Sequence, residues 1–260
     1  MKNMPDLQSQ GDTRRIGIDK VGVKAIRYPI LVEDRTNKLQ QTIADLNIYV
    51  ELHHSKRGTH MSRFLEVLNR YHQDSIIGHL DKLLLELKTI LKADSAYLDM
   101  DFPYFMTKHA PVSKISSLLD YKCFFHASYR DEYELWIGAV VPVTTLCPCS
   151  REISDAGAHN QRSYVTIKVR YTGFVWLEEL IQIAEDAASS PVYPLLKRRD
   201  EKYVTEKAYF NPRFVEDVVR EATQKLSADE RILEFYVEAD SFESIHNHNA
   251  YAMVYRGQRD

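Results

Sequence analysis

The order of apolar patterns along this chain restricts it to an α+β fold in which one arrangement of elements occurs twice. Residues 42–52 alternate apolar and other side chains, as half-buried β-strands do. Other stretches repeat apolar residues at helical spacing, so each half reads roughly strand-strand-helix-helix-strand-strand. The predicted strands are residues 23–32, 42–52, 96–105, 122–128, 132–145, 163–171, 232–238 and 249–255, and the predicted helical segments are 62–91, 176–187 and 211–222.

The length and composition indicate an ordinary globular protein. With 260 residues, of which 44% are hydrophobic and 27% charged, the chain can bury a full core in one large or two smaller domains. We expect a flexible, polar N-terminal arm at residues 1–20, a first folded unit at 21–115 and a second at 116–260. The second unit contains most of the chemically distinctive residues described below.

Several classes of protein are excluded by charge and hydropathy. No apolar run approaches the roughly 20 residues needed to span a bilayer, and the N-terminus has no secretory signal pattern, so we expect a cytoplasmic protein with no membrane partner. A net charge of −3 provides no basic surface typical of nucleic-acid binding. Three cysteines in so long a chain make no disulfide framework, and reduced thiols are expected.

Two cysteines one residue apart begin the stretch that most resembles a site. Cys147 and Cys149 flank Pro148, and the stretch continues to His159 and Ser163. Thiolates and imidazoles are the ligands that a borderline-soft divalent metal prefers. The proline, glycine and asparagine among them predict a non-helical loop of defined shape.

Two further groups of residues suggest chemistry. Near the C-terminus, Glu243 and two histidines, His246 and His248, lie between two predicted strands. Near residue 60, cations and hydroxyls fall at a predicted strand-to-helix junction, where backbone N–H groups and the helix dipole favour anions. Because the chain has no glycine-rich phosphate loop of the Walker type, side chains must bind any polyphosphate. The candidates for this role are Lys56, His60 and Arg63, contributed by a neighbouring subunit.

These motifs, taken in order, resemble the prokaryotic type IB GTP cyclohydrolase family. The resemblance extends over nearly the whole chain apart from the first fifteen or so residues. It is carried by residues 147–150, 157–163, 200–206 and 242–251, with further similarity at 58–63 and 211–217.

The resemblance implies a fold and an activity. The fold is a bimodular tunnelling fold with two ββααββ units, whose antiparallel sheets form a barrel in a homotetramer with the helices outside. The activity is that of GTP cyclohydrolase I, a metal-dependent hydrolase acting on the C–N bonds of a cyclic amidine. Its products are formate and 7,8-dihydroneopterin triphosphate, at the first step of folate (tetrahydrofolate) and pterin biosynthesis.

The resemblance also implies a divalent metal. Hydrolytic opening of the guanine imidazole ring needs water to attack C8, and a bound metal lowers the pKa of its water from ~16 towards ~7. The mixture of sulfur, imidazole and carboxylate does not choose between Zn²⁺ and Mn²⁺. The positions that match the family's ligands are Cys147, His159, Glu201 and His246.

Further roles follow from the same resemblance. Cys149, beside the ligand Cys147, could give or take protons, and Glu243 and His248 are additional acid/base candidates. Glu216 would hold guanine, because a carboxylate can accept hydrogen bonds from N1–H and the 2-amino group together.

Two other functions remain open at this point. A nitrile reductase of the same fold superfamily would use Cys149 or Cys147 as a nucleophile towards a deazaguanine and would need NADPH but no metal. A non-catalytic, zinc-stabilised binding module would need only a closed site with four ligands. The set of His159, Glu201 and His246 argues against the reductase, and the additional acid/base candidates argue against the binding module.

Overall fold

A computed structural model describes residues 6–8, 10–71 and 75–257, which fold into two compact units. The first comprises the described residues up to Phe102 together with Phe124–Trp136. The second comprises Pro103–Cys123 and the described residues from Ile137 onward. The predicted arm and domain boundaries stay predictions, and residues 1–5 and 9 of the arm lie outside the described residues.

The elements follow the predicted order closely. Strands and helices of the first half are β1 (Ile18–Asp34), β2 (Lys38–Leu52), α1 (Met61–Leu68), α2 (Leu80–Leu91), β3 (Ala96–His109) and β4 (Ser116–Tyr129). Those of the second half are β5 (Tyr133–Leu146), α3 (Pro148–Ile153), β6 (Asn160–Tyr171), α4 (Leu177–Ala187), β7 (Ser190–Pro191), α5 (Arg198–Phe210), α6 (Val215–Ala228), β8 (Ile232–Ser241) and β9 (Ala250–Arg256).

The first unit is built on the long antiparallel hairpin of β1 and β2. Asp34 closes its turn by accepting hydrogen bonds from the backbone N–H groups of Thr36 and Asn37, at 2.8 and 2.6 Å. The strands approach so closely at Gly22 that an added Cβ would lie 2.0 Å from the carbonyl oxygen of Ile48, so only glycine fits there. β2 also pairs antiparallel with β3. Helices α1 and α2 bury apolar faces, and the face of α2 consists of leucines.

The second unit contains an antiparallel sheet with the strand order β5-β6-β8-β9, and the short β7 pairs with β5. The register of β6 and β8 aligns Ser163 with Ser241 at one end and Tyr171 with Ile232 at the other. Helices α4 and α6 bury apolar stripes, and α6 packs on β8 and β9. No helix within the described ranges has the length and apolar character needed to cross a membrane.

Two helices of the second unit were not predicted. The expectation of a non-helical loop after Cys147 is wrong for α3, because Pro148 occupies the first helical position, where its missing N–H costs nothing. The Cys147 thiol caps this helix by accepting from the backbone N–H of Ser150 at 3.4 Å. Helix α5 lacks an apolar stripe, since Asp200 and Ala208 are its buried residues, and therefore gives no periodic signal.

Candidate active site

A cavity of about 260 Å³ in the second unit contains several of the predicted functional residues. It lies where β5, β6, β8 and β9 meet the first turn of α6. Of the predicted residues, Cys147, Glu216 and Glu243 line it. The full lining is Thr145, Cys147, Gln161, Arg213, Phe214, Val215, Glu216, Ser241, Glu243, Ala250 and Tyr251.

Cys147 and His159 lie side by side although twelve positions separate them. The backbone N–H of Cys147 donates to the carbonyl oxygen of His159 at 3.2 Å. The backbone N–H of His159 in turn donates to the Ser150 hydroxyl at 3.2 Å. The intervening loop is thereby closed on α3, and Cys149 is exposed in the first turn of that helix.

The His159 ring is held at one nitrogen. Its Nδ1 lies 3.0 Å from Oε1 of Gln161 and 3.9 Å from Oε2 of Glu243. The side chains of His159 and Glu243 are only 16% and 14% exposed, so water screens this pair weakly. Cys147 and Glu243 therefore line the cavity, and His159 lies next to Glu243 without being part of the lining.

Glu216 occupies the first turn of α6. The helix begins after Phe214, whose backbone N–H donates to the Asp217 carboxylate at 3.0 Å in a capping interaction. Glu216 itself is exposed towards the cavity it lines. Its carboxylate can accept two hydrogen bonds from donors of a planar heterocycle.

Other predicted residues lie elsewhere in the second unit. Glu201, on α5, lines a separate surface hollow with Arg198 and Lys202. The rings of His246 and His248 stack at a centroid distance of 4.9 Å in an exposed segment between β8 and β9.

The predicted metal ligands are thus only partly assembled. Among residues 6–8, 10–71 and 75–257, no three or more His, Cys, Asp or Glu side chains converge in a group that could hold a metal ion. Cys147 and His159 are adjacent and chemically suited to a divalent metal, whereas Glu201 and His246 do not join them in one cluster. The four-ligand set stays a prediction.

The predicted phosphate-binding residues share one cavity, of about 350 Å³, in the first unit. Lys56 donates to the carbonyl oxygens of Leu91 and Lys92, and Arg63 donates to that of Ile90. Both cations therefore cap the C-terminal end of α2. Nε2 of His60 lies 3.4 Å from the Asp6 carboxylate.

Five residues of the cavity in the second unit have polar side-chain groups but no role predicted from the sequence. Gln161 belongs to the recognised motif but was not singled out. The alternation along β6 could have indicated Gln161. Gln161 and Ser163 lie on the same inward face of the strand as Val165 and Ile167. The residues concerned are Thr145, Gln161, Arg213, Ser241 and Tyr251.

The fold is shared with solved structures of low sequence similarity. A hyperthermostable mutant of Bacillus sp. TB-90 urate oxidase superposes with a TM-score of 0.52 at 12% identity, covering 93% of this chain and 100% of that one. A highly active mutant described as BTUO gives a TM-score of 0.52 at 10% identity with the same coverage. The class of protein is therefore an α+β protein of the tunnelling fold, as predicted.

Sequence comparison identifies the family within that class. The model described as "Type I GTP cyclohydrolase folE2" matches residues 4–252. GTP cyclohydrolase FolE2 of Geobacter sulfurreducens is 55% identical, covering 98% of this chain and 99% of the relative. The homologue named GTP cyclohydrolase FolE2 in Nitrosococcus oceani is 51% identical over 96% and 94% of the two chains. The chain belongs to the type I GTP cyclohydrolase FolE2 family, which confirms the predicted family.

Proposed function

We propose that this protein hydrolyses GTP to formate and 7,8-dihydroneopterin triphosphate, which would supply folate biosynthesis. The observation that carries the proposal is the cavity in which Cys147, Glu216 and Glu243 meet, with His159 beside Glu243. Relatives at 51–55% identity over nearly the whole chain bear the name GTP cyclohydrolase FolE2. The reaction is that of GTP cyclohydrolase I, a hydrolase of cyclic amidine C–N bonds.

Glu216 anchors the guanine ring. Its carboxylate accepts from N1–H and the 2-amino group, a pattern that adenine cannot match because it has neither donor. The position in the first turn of α6 supports this role, since the N-terminal end of a helix dipole favours a negatively charged side chain. Guanine bound there would lie in the same cavity as Cys147 and Glu243.

A divalent metal, Zn²⁺ or Mn²⁺, would be held by Cys147, His159, Glu201 and His246. When bound, it would supply a water molecule of lowered pKa as the nucleophile for C8. The adjacency of Cys147 and His159 supports the first half of this ligand set. Glu201 and His246 are exposed, and can complete the set without disrupting a buried core.

Proton transfer falls to side chains around these ligands. The Cys149 thiol is exposed in the first turn of α3, beside Cys147, and can exchange protons with the reacting ring. The Glu243 carboxylate lies 3.9 Å from His159 Nδ1 and is suited to hold a proton during C–N cleavage. His248, stacked on His246, is a third acid/base group.

The triphosphate would be bound by Lys56, His60 and Arg63 of a neighbouring subunit in a homotetramer. An exposed row of large side chains on β9 supports self-association, since Tyr251, Met253 and Tyr255 are 57%, 48% and 56% exposed. Within the described part of the chain, β9 is also the last strand in the order of the second unit, so its outer edge is open to pairing. Light scattering of the purified protein tests the tetramer.

The activity is tested by turnover of GTP. Purified protein supplied with Zn²⁺ or Mn²⁺ should release formate and form a dihydropterin triphosphate, with no requirement for NADPH. Elemental analysis of the same sample should find about one metal per subunit. Absence of formate with either metal would exclude the proposed reaction. NADPH consumption with a deazaguanine nitrile would instead support the reductase.

A further inference from the structure

Three buried hydroxyl groups form a closed triangle at one end of the sheet in the second unit. Ser163 Oγ lies 2.7 Å from both Thr145 Oγ1 and Ser241 Oγ, and Thr145 lies 3.3 Å from Ser241. None of the three residues is more than 1% exposed. On β5, β6 and β8 they lie towards the ends of inward-facing rows whose other members are apolar, apart from the buried Gln161 of β6. Hydroxyl groups at such positions suggest a specific role, because burial of polar groups is unfavourable.

The triangle determines the orientation of the Gln161 amide. Each hydroxyl has one hydrogen to donate, and a closed ring of three hydrogen bonds uses all three hydrogens. Thr145 can then only accept from a fourth partner, which is Nε2 of Gln161 at 3.1 Å. The amide nitrogen of Gln161 therefore faces Thr145, and its oxygen, Oε1, faces Nδ1 of His159 at 3.0 Å.

The same contacts determine the tautomer of His159. Because Gln161 Oε1 can only accept, the proton of the neutral imidazole must lie on Nδ1, and its lone pair lies on Nε2. The Glu243 carboxylate, 3.9 Å from Nδ1, also favours a proton at that position. The chain of contacts thus runs from a buried hydroxyl triangle through an amide to one ring nitrogen.

We propose that Gln161 is a positioning residue that locks His159 in the Nδ1–H tautomer and presents Nε2 as a ligand atom. Thr145, Ser163 and Ser241 hold Gln161 in the orientation that this requires. The assignment of a divalent metal as the ion that Nε2 binds rests on the proposed function. The tautomer itself does not, because it follows from contacts within this chain.

The experiment reads the tautomer of His159 directly in metal-free protein. ¹⁵N NMR of histidine-labelled protein, at a pH where the imidazole is neutral, should show the Nδ1–H form in the wild type. Gln161→Leu removes the acceptor and should shift the ring towards the Nε2–H form. Gln161→Glu keeps an acceptor oxygen and should restore Nδ1–H. Thr145→Val removes the contact that orients the amide and should shift the ring in the direction of Gln161→Leu.

A second readout is the affinity for Zn²⁺ by competition with a chromophoric chelator. Gln161→Leu should weaken it by roughly 10- to 100-fold, as loss of a hydrogen-bond partner of a ligating histidine does elsewhere. The matched control is Tyr121→Phe, which also removes one buried hydroxyl of the second unit, the donor to Glu185 at 2.7 Å, but does not touch Gln161. It should leave both the tautomer and the affinity unchanged.

The two readouts separate this proposal from the proposed activity. An unshifted Nδ1–H ring in both Gln161→Leu and Thr145→Val would overturn it, as would a loss of Zn²⁺ affinity no larger than that of Tyr121→Phe. A shifted tautomer with weakened Zn²⁺ binding would uphold it even in a protein that released no formate from GTP. In that case the proposed reaction would fail while the role of Gln161 stood.

Discussion

Lys56 donates its ammonium group to the carbonyl oxygen of Lys92 at 2.6 Å and thereby caps the C-terminal end of α2. A second hydrogen bond, at 3.2 Å, joins it to the carbonyl oxygen of Leu91. A cation at this end of a helix stabilises it by about 0.3–1 kcal/mol. The same ammonium group is proposed to bind the triphosphate, so one residue has two candidate roles that experiment can separate.

Lys56→Met should lower the free energy of unfolding by about 1 kcal/mol and weaken binding of GTP but not of guanosine. Calorimetric titration with the two ligands measures the difference. Lys88→Met is the control, because Lys88 also donates to a carbonyl oxygen of the first unit, that of Arg130, and carries the same charge. Equal losses for GTP and guanosine in Lys56→Met would leave Lys56 with the capping role alone.

His159→Ala should lower metal content and GTP turnover together. The reason is that an imidazole ligand cannot be replaced by a methyl group, and loss of one ligand opens the site to exchange. Elemental analysis and formate release measure the two quantities. An exposed histidine of the first unit, changed in His54→Ala, serves as the control. Full metal occupancy in His159→Ala would remove His159 from the ligand set.

Glu216→Gln should weaken GTP binding by roughly 1–3 kcal/mol and leave metal content unchanged. The amide keeps the shape of the carboxylate but replaces one acceptor with a donor, which then faces a donor of guanine. Glu230→Gln makes the same change at an exposed position outside the cavity and should leave GTP binding and metal content unchanged. A GTP affinity of Glu216→Gln equal to that of wild type would show that Glu216 is an ordinary solvated residue of the helix surface.

Cys149→Ser should keep metal and GTP binding but reduce turnover by roughly 10²-fold or more, because a hydroxyl is a much weaker acid than a thiol. Single-turnover formate release measures the effect. If Cys149 were instead a nucleophile, a nitrile substrate would leave a covalent adduct visible in the intact protein mass. Turnover of Cys149→Ser within a few fold of wild type would exclude the proton-transfer role.

Asp34 should make the stability of the protein depend on acid pH. Burial acts to raise the pKa of Asp34, but hydrogen bonds from Asn37, Thr36 and Gln40 outweigh it and hold that pKa below its ordinary value. A depressed folded-state pKa contributes stability that is present above the unfolded value of about 3.9 and is lost as pH falls through the folded value.

The variant Asp34→Asn should therefore be less stable than wild type by about 1–3 kcal/mol near pH 7. The difference should narrow below about pH 4, as the wild-type carboxylate gains its proton. Urea unfolding of the two proteins at both pH values measures it. A difference that does not change with pH would show that the charge of Asp34 contributes nothing to the hairpin turn.

The order of strands and helices was predictable where one face of an element is apolar. β2, β6 and α6 each repeat buried residues at the period of their own geometry, and this period is a property of the local sequence. Helix α5 was not predicted because it buries only two of its thirteen residues. Helix α3 was not predicted because a proline at its first position resembles a loop signal. The contacts that stabilise these two helices involve residues from other elements, so they leave no periodic pattern in the local sequence.

The candidate site also has one part that the local sequence predicted and another that only contacts between elements decided. The motif around Cys147 and His159 indicated these two residues as functional, because thiol and imidazole chemistry does not depend on the fold. The family resemblance added Glu216. The meeting of Thr145, Ser163 and Ser241 was decided only by the tertiary structure. Ser163 and Ser241 are 78 positions apart, and they touch because the register of β6 and β8 places them opposite each other. Period and composition report how one element is buried, whereas strand register and packing decide which distant side chains share a hydrogen bond.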